Sequence, residues 1–390
     1  MKKFKKFITY FILITMIINT YYIRSYSKND IESLYSLSAA LIDGETGRVL
    51  YDKDGNTSRP MASTTKIMTL IIALEYGNPD EIVTVSSYAS KMPDVQLGIK
   101  EGEQYKLGDL YYSLMLESHN DVAVAIAEHI GGDVNGFAKM MNDKAKELGL
   151  NNTYFITPNG LDETDSYGTH STTAIELAKL MKYCTMDSPQ NELFNSICTT
   201  KEYSFSDYNN SINFTVYNKN ALLDMMEGVI AGKTGFTADA GYCYVATIKK
   251  ENKTFVVALL GCGWPNNKGY KWEDTKRLIN YAIHNYEYRS ITSNETTMKQ
   301  IEVLNGTPKD YINTYIIDYI NILTSHDENI KLEYNLPDVI KPPVVKGDIV
   351  GNINILINGN VFKSINIYSS ENIYEKDYRY YINQIIDVLF

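Results

Sequence analysis

Two residues of this 390-residue chain, Ser63 and Lys66, have the types and the spacing of a nucleophile and its base. Residues three apart on a helix lie on one face, a single turn apart, so the lysine amine can take the proton from the serine hydroxyl. The backbone N–H groups at the start of a helix are also free to bind an oxyanion. On its own the pattern is weak, because Ser-x-x-Lys arises by chance about twice in a chain of this length.

Two further polar groups follow along the chain. Ser118-His119-Asn120 offers a hydroxyl and an amide that could relay a proton and hold a substrate carbonyl, although alone it is typical of a helix N-cap. In Lys233-Thr234-Gly235 the lysine and the hydroxyl could bind a carboxylate, while the glycine lets a ligand approach a strand edge. By chance, all three motifs occur together in this order far less often than any one of them alone.

The elements that must position these residues are predicted from the spacing of apolar residues. Strands are expected at 38–51, as a hairpin, and at 242–261. The order of strands, a block of helices and then strands indicates an α/β protein of the α+β type, not a doubly wound parallel sheet. Helical periodicity runs over residues 63–76, 107–116, 120–130, 135–148, 172–184 and about 272–286.

A second, small all-β domain is predicted at residues 298–370. From Gln300 onward Ile, Val and Asn alternate, and two alternating runs flank Asn358-Gly359, a strong hairpin signal. The tail, residues 375–390, has apolar side chains at helical spacing on one face and polar ones opposite. We therefore expect an amphipathic helix there, either on a membrane surface or docked on the β domain.

Residues 1–25 have the pattern of a secretory signal peptide or of an uncleaved anchor. Four lysines precede an apolar run, Phe7–Ile18, which is at the short limit for spanning a membrane. We therefore expect an extracytoplasmic protein, either secreted or attached to the outer face of the cell membrane. The net charge is −10, and −15 without the first 25 residues, which carry five positive charges. This balance excludes nucleic acid as a partner.

No metal or cofactor is expected. The four cysteines match no zinc or redox spacing, and the five histidines form no His-Glu-x-x-His pair. Cys243 and Cys262 lie on two strand-like runs around a polar turn, so they could be neighbours across a hairpin. Buried free thiols are the alternative, and the sequence leaves this choice open.

The three motifs together resemble those of the low-molecular-mass penicillin-binding proteins, the serine-type D-alanyl-D-alanine carboxypeptidases of the peptidase S11 family. The resemblance implies a β-lactamase/penicillin-binding transpeptidase-like catalytic domain, which we expect at residues 37–290. It also implies an exported enzyme that removes the terminal D-alanine from peptidoglycan stem pentapeptides and is inhibited by β-lactam antibiotics. The similar stretches are residues 60–69, 116–132, 141–161, 170–180, 233–243 and, in the β domain, 341–347.

What the resemblance implies for the site is an acyl-enzyme mechanism. Ser63 would attack the carbonyl between the two D-alanines, with Lys66 as general base. Ser118 would pass a proton to the leaving amine, and Asn120 would hold the substrate. The remaining residues would bind the substrate: Lys233, Thr234 and Lys219 at its terminal carboxylate, Gly235 along the strand edge, and the N–H groups of Phe236 and Ser63 at the oxyanion.

Three features depart from the family pattern, and one of them is Ile230-Ala231-Gly232 before Lys233, where Asp-Gly-Ile or Asp-Gly-Leu is usual. His119 stands where a small residue is usual, and we expect its side chain to point away from the cleft. Lys219 stands where some relatives carry arginine, and a lysine cannot make the bidentate contact of a guanidinium.

Two other functions stay open on the sequence alone. Glu147 falls in a Glu-x-x-Leu-Asn pattern like the one that supplies the deacylating base of class A β-lactamases. It lies at the end of a predicted amphipathic helix, so we interpret the match as coincidental. A catalytically inert wall-binding or antibiotic-sensing protein is the second alternative, but every motif residue is present.

Overall fold

The computed structural model describes residues 31, 33–93, 95–291, 299–317 and 320–389. The chain divides into two compact units, the first ending at His284 and the second beginning at Asn285. The expected signal peptide or anchor, residues 1–25, lies outside the described residues. Among the residues that are described, no helix is both long and apolar enough to cross a membrane.

The first unit combines an antiparallel sheet with a block of helices, which confirms the predicted α+β class. Its strands are β1 (Ser38–Asp43), β2 (Val49–Lys53), β3 (Ile82–Thr84), β4 (Gln104–Lys106), β5 (Glu202–Ser206), β6 (Asn213–Tyr217), β7 (Val229–Thr237), β8 (Gly241–Lys250) and β9 (Lys253–Leu260). Its helices are α1 (Lys66–Tyr76), α2 (Leu107–Leu116), α3 (Asn120–Gly131), α4 (Val134–Glu147), α5 (Ala174–Lys182), α6 (Asn191–Thr199), α7 (Leu222–Met225) and α8 (Tyr270–Asn285).

The main sheet has the strand order β2-β1-β9-β8-β7, and all of its neighbouring strands are antiparallel. Strand β1 is buried along its whole length, and helix α5 packs against β1, β8 and β9. Burial on both faces explains why these strands read as continuous apolar runs in the sequence. The order leaves β7, which carries Lys233-Thr234-Gly235, at one edge of the sheet.

Helix α1 runs through the core of the helical block. Every residue from Lys66 to Leu74 is buried, because apolar side chains occur all round this helix and it packs against α2, α3 and α4. A single 3₁₀ turn, Ala62–Thr65, precedes it and is here called the Ser63 turn. The deep burial of α1 fixes the position of Lys66 relative to Ser63.

The periodic helices and the hairpin at 38–51 lie where they were expected, with ends shifted by a few residues. The segment 191–217 was not predicted. It forms helix α6 and the hairpin of β5 and β6, whose strands bury only one residue each.

The second unit is rich in short strands around a core of isoleucines. The predicted hairpin at Asn358-Gly359 is confirmed, since the strands Ile349–Ile357 and Asn360–Ser369 pair on either side and both turn residues have positive φ, 52° and 83°. The elements are β10 (Tyr286–Ser290), β11 (Ile301–Val303), β12 (Gly306–Thr307), β13 (Tyr311–Ile312), β14 (Thr314–Tyr315), β15 (Asn321–Ser325), β16 (Ile330–Asn335), β17 (Val339–Ile340), β18 (Ile349–Ile357), β19 (Asn360–Ser369), β20 (Tyr374–Glu375) and helix α9 (Tyr378–Leu389).

The unit boundaries differ from the limits expected from sequence. Strand β10 pairs with β15, so residues from 286 onward fold with the second unit, although 37–290 was expected for the first. Strand β20 pairs with β12, which extends the second unit past residue 370. Helix α9, in the predicted tail, has no buried residue.

Candidate active site

The Ser63 turn holds its serine at the mouth of a cleft. The hydroxyls of Thr64 and Thr65 donate to the carbonyls of Met61 and Ala62, at 2.6 and 2.8 Å, which tightens the turn. Ala62 has a φ of +49°, a left-handed conformation that is uncommon for a residue with a side chain. The turn is therefore strongly specified by its own hydrogen bonds.

Lys66 is fully buried, and its amine has three partners. Its Nζ lies 2.9 Å from Ser63 Oγ, and it donates to Asn120 Oδ1 at 2.8 Å and to the Asn159 carbonyl at 2.6 Å. Burial lowers the pKa of Lys66 well below its ordinary value, and the positive charge of Lys233 lowers it further. The site therefore favours a neutral amine beside the serine hydroxyl.

Ser118 and Asn120 lie on the connection from α2 to α3. Ser118 has a φ of 72°, and Asn120 begins α3 with its side chain buried. The Asn120 amide group donates to the Pro93 carbonyl at 3.1 Å, so its oxygen faces Lys66. This connection holds a hydroxyl and an amide on the side of the cleft opposite β7.

Lys233 is buried on β7 and reaches across to this connection. Its Nζ donates to Ser118 Oγ at 2.8 Å and to the Thr234 carbonyl at 2.9 Å. Burial lowers the pKa of Lys233 to about 7. Side-chain hydrogen bonds therefore connect all three motifs. Lys66 links Ser63 to Asn120, and Lys233 links β7 to Ser118.

Gly235 is the point at which β7 meets the Ser63 turn. A Cβ at this position would lie 2.9 Å from the Ser63 backbone nitrogen and 3.0 Å from that of Thr64. Real side chains do not approach so closely, so only glycine allows this contact. Gly235, the glycine of the third motif, thus allows strand β7 and the Ser63 turn to pack against each other.

The cleft has a volume of about 460 Å³. The structure brings together all of the residues proposed from sequence. Lys66 and Asn120 do not line the cleft themselves, but Lys66 contacts Ser63, and Asn120 contacts Lys66. The proposed residues that line it directly are Ser63, Ser118, Lys219, Lys233, Thr234, Gly235 and Phe236.

Lys219 lines the cleft but already has a carboxylate partner. Its ammonium lies 2.9 Å from Glu117 Oε1, and 61% of the lysine side chain is exposed. Burial is the largest single influence on the pKa of Glu117 and would raise it, but the hydrogen bonds from Lys219 and the Tyr217 backbone, together with the Lys219 charge, outweigh burial and lower the pKa. The Lys219 charge is thus paired with the Glu117 carboxylate.

His119 and Glu147 both lie away from the cleft surface. His119 is buried, with Nδ1 2.8 Å from Ser113 Oγ and Nε2 3.3 Å from Glu117. Glu147 ends α4 and pairs at 3.0 Å with Lys144, which also binds Glu75. Neither residue contributes to the described lining of the cleft.

Two residues at this site were not identified from sequence, Asn159 and Gly160. The Asn159 carbonyl accepts from Lys66 and lies 3.3 Å from Ser63 Oγ. Gly160 has a φ of +85°, and a Cβ there would lie 2.0 Å from the Ala62 carbonyl oxygen. The run Pro158-Asn159-Gly160 signals a turn, but a backbone carbonyl has no residue-type signature.

Comparison with known families decides the identity of the chain. A profile described as D-alanyl-D-alanine carboxypeptidase, peptidase S11, matches residues 25–263. The chain belongs to this S11 family. A second profile, for the C-terminal domain of penicillin-binding protein 5, matches residues 286–375. The chain is therefore a D-alanyl-D-alanine carboxypeptidase with a catalytic S11 domain and an all-β C-terminal domain, as the sequence motifs predicted.

Individual relatives agree with the S11 assignment. The chain is 32% identical to D-alanyl-D-alanine carboxypeptidase DacF of Bacillus subtilis over 333 residues, which cover 83% of this chain and 82% of that protein. Penicillin binding protein 5 from Haemophilus influenzae superposes with a TM-score of 0.72 at 25% identity, covering 88% and 98% of the two chains. Penicillin-Binding Protein D2 from Listeria monocytogenes, in an ampicillin-bound form, gives 0.55 at 25% identity, covering 64% and 98%.

Proposed function

We propose that this S11 carboxypeptidase removes the terminal D-alanine of peptidoglycan stem pentapeptides through an acyl-enzyme on Ser63. One observation carries the proposal: the surroundings of the buried Lys66 amine. A neutral amine has two N–H groups and one lone pair. Asn120 Oδ1 and the Asn159 carbonyl take the two N–H groups, so the lone pair is left for the hydroxyl proton of Ser63, 2.9 Å away. This arrangement supports Lys66 as general base.

The first step forms the bond between Ser63 Oγ and the carbonyl carbon, and the serine proton moves to Lys66. The bond from that carbon to the nitrogen of the terminal D-alanine then breaks. Ser118 delivers its hydroxyl proton to this nitrogen and takes in return the proton that Lys66 received from Ser63, which leaves Lys66 neutral again. The hydrogen bond that Lys233 donates to Ser118 Oγ supports this role, because it leaves the Ser118 O–H proton free to be delivered. Water afterwards hydrolyses the ester and restores Ser63.

The substrate lies along the edge strand β7. Its terminal carboxylate is held by Lys233 and Thr234, with Lys219 as a further positive charge. The backbone N–H groups of Ser63 and Phe236 bind the oxyanion, and Gly235 allows the close approach that this requires. Lysines and a hydroxyl on one cleft wall are the groups that recognise a carboxylate.

β-Lactams acylate the same serine and are released slowly. The ampicillin-bound form of the Listeria monocytogenes relative supports this assignment. The position of Glu147 supports slow release, because a base for deacylation must stand within one water of the ester and Glu147 pairs with Lys144 instead.

Export through residues 1–25 follows from the substrate, since peptidoglycan lies outside the cytoplasm. The four lysines and the apolar run Phe7–Ile18 support either a cleaved signal or an anchor. The exposed helix α9 supports a second attachment to the membrane surface.

The decisive experiment incubates the purified protein with a fluorescent penicillin and, separately, with a pentapeptide ending in D-Ala-D-Ala, and weighs both products. We expect a stable adduct that is lost in Ser63→Ala, and loss of one alanine from the peptide. Lys66→Ala should slow acylation by several orders of magnitude, because an unactivated serine is a weak nucleophile.

The same experiment separates the carboxypeptidase from a β-lactamase. Glu147→Gln should leave the lifetime of the adduct unchanged. Rapid hydrolysis of penicillin by the wild type, together with a stalled adduct in Glu147→Gln, would overturn the proposed mechanism.

A further inference from the structure

The cleft contains a second group of positive charges, which the proposed mechanism does not use. Lys268 and Lys271 line it together with Ser63. Lys268 is exposed, whereas only 6% of Lys271 is exposed, at the first turn of α8. Neither lysine forms an ion pair with a carboxylate in the part of the chain that the structure describes.

The buried ammonium of Lys271 is held by an aromatic wall. It lies 4.6 Å from the ring centroid of Tyr242 and 4.7 Å from that of Trp272, and it donates to the Lys268 carbonyl at 2.6 Å. One carbonyl satisfies only one of the three N–H groups of an ammonium. Burial lowers the pKa of Lys271 to about 8, so it still carries its charge at neutral pH. The site therefore presents a desolvated cation with unused donors.

The order of groups along β7 tells which part of a substrate this cation meets. In the proposed function, on which this inference rests, the terminal carboxylate lies at Lys233 and Thr234. The reacting carbonyl lies beside Gly235, which abuts the Ser63 turn. The acyl part of the substrate, which stays on the enzyme, therefore continues past Phe236 toward the end of the strand.

Lys271 lies at this acyl end. Tyr242, beneath the Lys271 ammonium, is the strand partner of Phe236, and the two rings are 4.7 Å apart. Strand residues advance by about 3.3 Å each, so Phe236 is roughly 7 Å along the strand from Thr234. The Lys271 ammonium, over Tyr242, is thus displaced from the terminal-carboxylate position toward the residues that precede the two D-alanines. Trp272, the second ring near this ammonium, packs edge-on against Tyr244, the strand partner of Thr234.

We propose that Lys268 and Lys271 form a subsite for a carboxylate on the side chain of the residue that precedes the two D-alanines. Such a ligand supplies acceptors to the unused donors of Lys271, and its aliphatic part packs on Phe236, Tyr242 and Trp272. The substrate class is a stem peptide whose third residue is a diamino acid with a free side-chain carboxylate.

Two pentapeptides test this subsite, because diaminopimelate and lysine differ at the third position by that carboxylate alone. We expect the wild type to prefer the diaminopimelate peptide at least about tenfold in kcat/KM, the size of one charge-assisted hydrogen bond. Lys268→Met and Lys271→Met should each reduce this preference, with the rate on the lysine peptide changed less than about twofold. Lys276→Met, on the same helix but outside the described cleft lining, should keep the full preference.

Equal rates on the two peptides in the wild type would overturn the subsite. A Lys271→Met variant that loses activity on both peptides alike, with the preference retained in Lys268→Met, would also overturn it, since that pattern belongs to a structural lysine. If neither peptide is hydrolysed, the proposed function has failed. The subsite is then read from competition of the two peptides with fluorescent penicillin, and equal inhibition by both would overturn it.

Discussion

Lys66 and Lys233 are two buried amines in one site, and their surroundings suit different charge states. Lys66 has acceptors for the two N–H groups of a neutral amine and a serine hydroxyl beside its lone pair. Lys233, whose pKa is lowered to about 7, is partly protonated near neutral pH, and a bound carboxylate would favour its charged form. The charge of Lys233 is itself one reason why the pKa of Lys66 is low.

This coupling predicts how the pH dependence of acylation responds to a substitution. The rate of labelling by penicillin should rise with pH as Lys66 loses its proton, because only the neutral amine can act as base. Lys233→Met removes a neighbouring positive charge, which favours protonated Lys66 and moves the rising limb to higher pH. The quantity to measure is the pH at which the labelling rate rises, not the maximal rate. A limb that moves to lower pH would show that the two amines are not coupled in this way.

Substitutions at Lys219 and Glu117 test whether the substrate carboxylate can take Lys219 from its ion pair with Glu117. The Lys219 side chain is largely exposed, although that of Glu117 is only 21% exposed, and pairs with an exposed partner are worth only about 0.2–1 kcal/mol, so a substrate carboxylate can compete for the lysine. Lys219→Ala should lower kcat/KM for pentapeptide by about 10- to 100-fold, as expected for one lost charge-assisted contact. Glu117→Gln should lower KM a few-fold, because it frees the lysine. Unaltered turnover in Lys219→Ala would remove this residue from the site.

Residue types alone identified the chemical groups of the site but not all of their partners. The motif residues carry side-chain chemistry that is visible in the sequence. The contact of Lys66 with the Asn159 carbonyl and the pair of Lys219 with Glu117 join positions about a hundred residues apart. Such pairings depend on the fold, so no local pattern contains them.

At the scale of elements, the site depends on the contact between β7 and the Ser63 turn. Gly235→Ala should push the strand away, because the new Cβ would lie 2.9 Å from the Ser63 nitrogen and 3.0 Å from Ala62 Cβ. Displacements of about 1 Å at reacting groups cost on the order of 100-fold, so acylation by penicillin should slow by at least that factor. Gly269→Ala is the control, since its Cβ would meet nothing within 4 Å. Equal rates in the two variants would show that the strand tolerates the methyl group.

Helix α9 is the element best suited to a membrane surface. Its tyrosines and isoleucines are exposed along one stripe, and a free helix of twelve residues is marginal in water. A chain that lacks residues 1–25 should bind phosphatidylglycerol vesicles, and deletion of residues 376–390 should abolish binding in a sedimentation assay. Ile385→Asp should weaken binding with the rest of the tail intact. Binding that survives the deletion would assign attachment to another part of the molecule.

Elements with strong periodicity were predictable, and weakly buried ones were not. The apolar stripe of α4 and the Asn358-Gly359 turn gave the correct element types. Strands β5 and β6 do alternate apolar and polar residues, but each buries only one side chain, Phe205 or Val216. Their position is set by tertiary packing, which a short pattern cannot distinguish from a loop.

At the scale of the whole molecule, its two hydrophobic cores make disulfides unnecessary. All four cysteines are free and buried, and Cys262 Sγ lies 3.4 Å from an Asp274 carboxylate oxygen. Burial raises the pKa of Cys262, and buried thiols are unreactive. The native protein should therefore resist a thiol reagent, whereas the denatured, unreduced protein should take up four labels by mass spectrometry. Two labels instead of four would reveal a disulfide, and Tm should not respond to a reductant.

Strand β7 is an edge strand of its sheet, and this position affects which proteins the enzyme can attack. The partner that an edge strand accepts must be an extended chain with free backbone groups. Folded proteins of the cell envelope have already paired most of their backbone groups, and few expose a loose terminus of the right chemistry. A nucleophile placed beside this edge is therefore safe among its neighbours. Under the proposed mechanism, Ser63 would spare ordinary folded proteins, because they cannot present an extended chain to this edge.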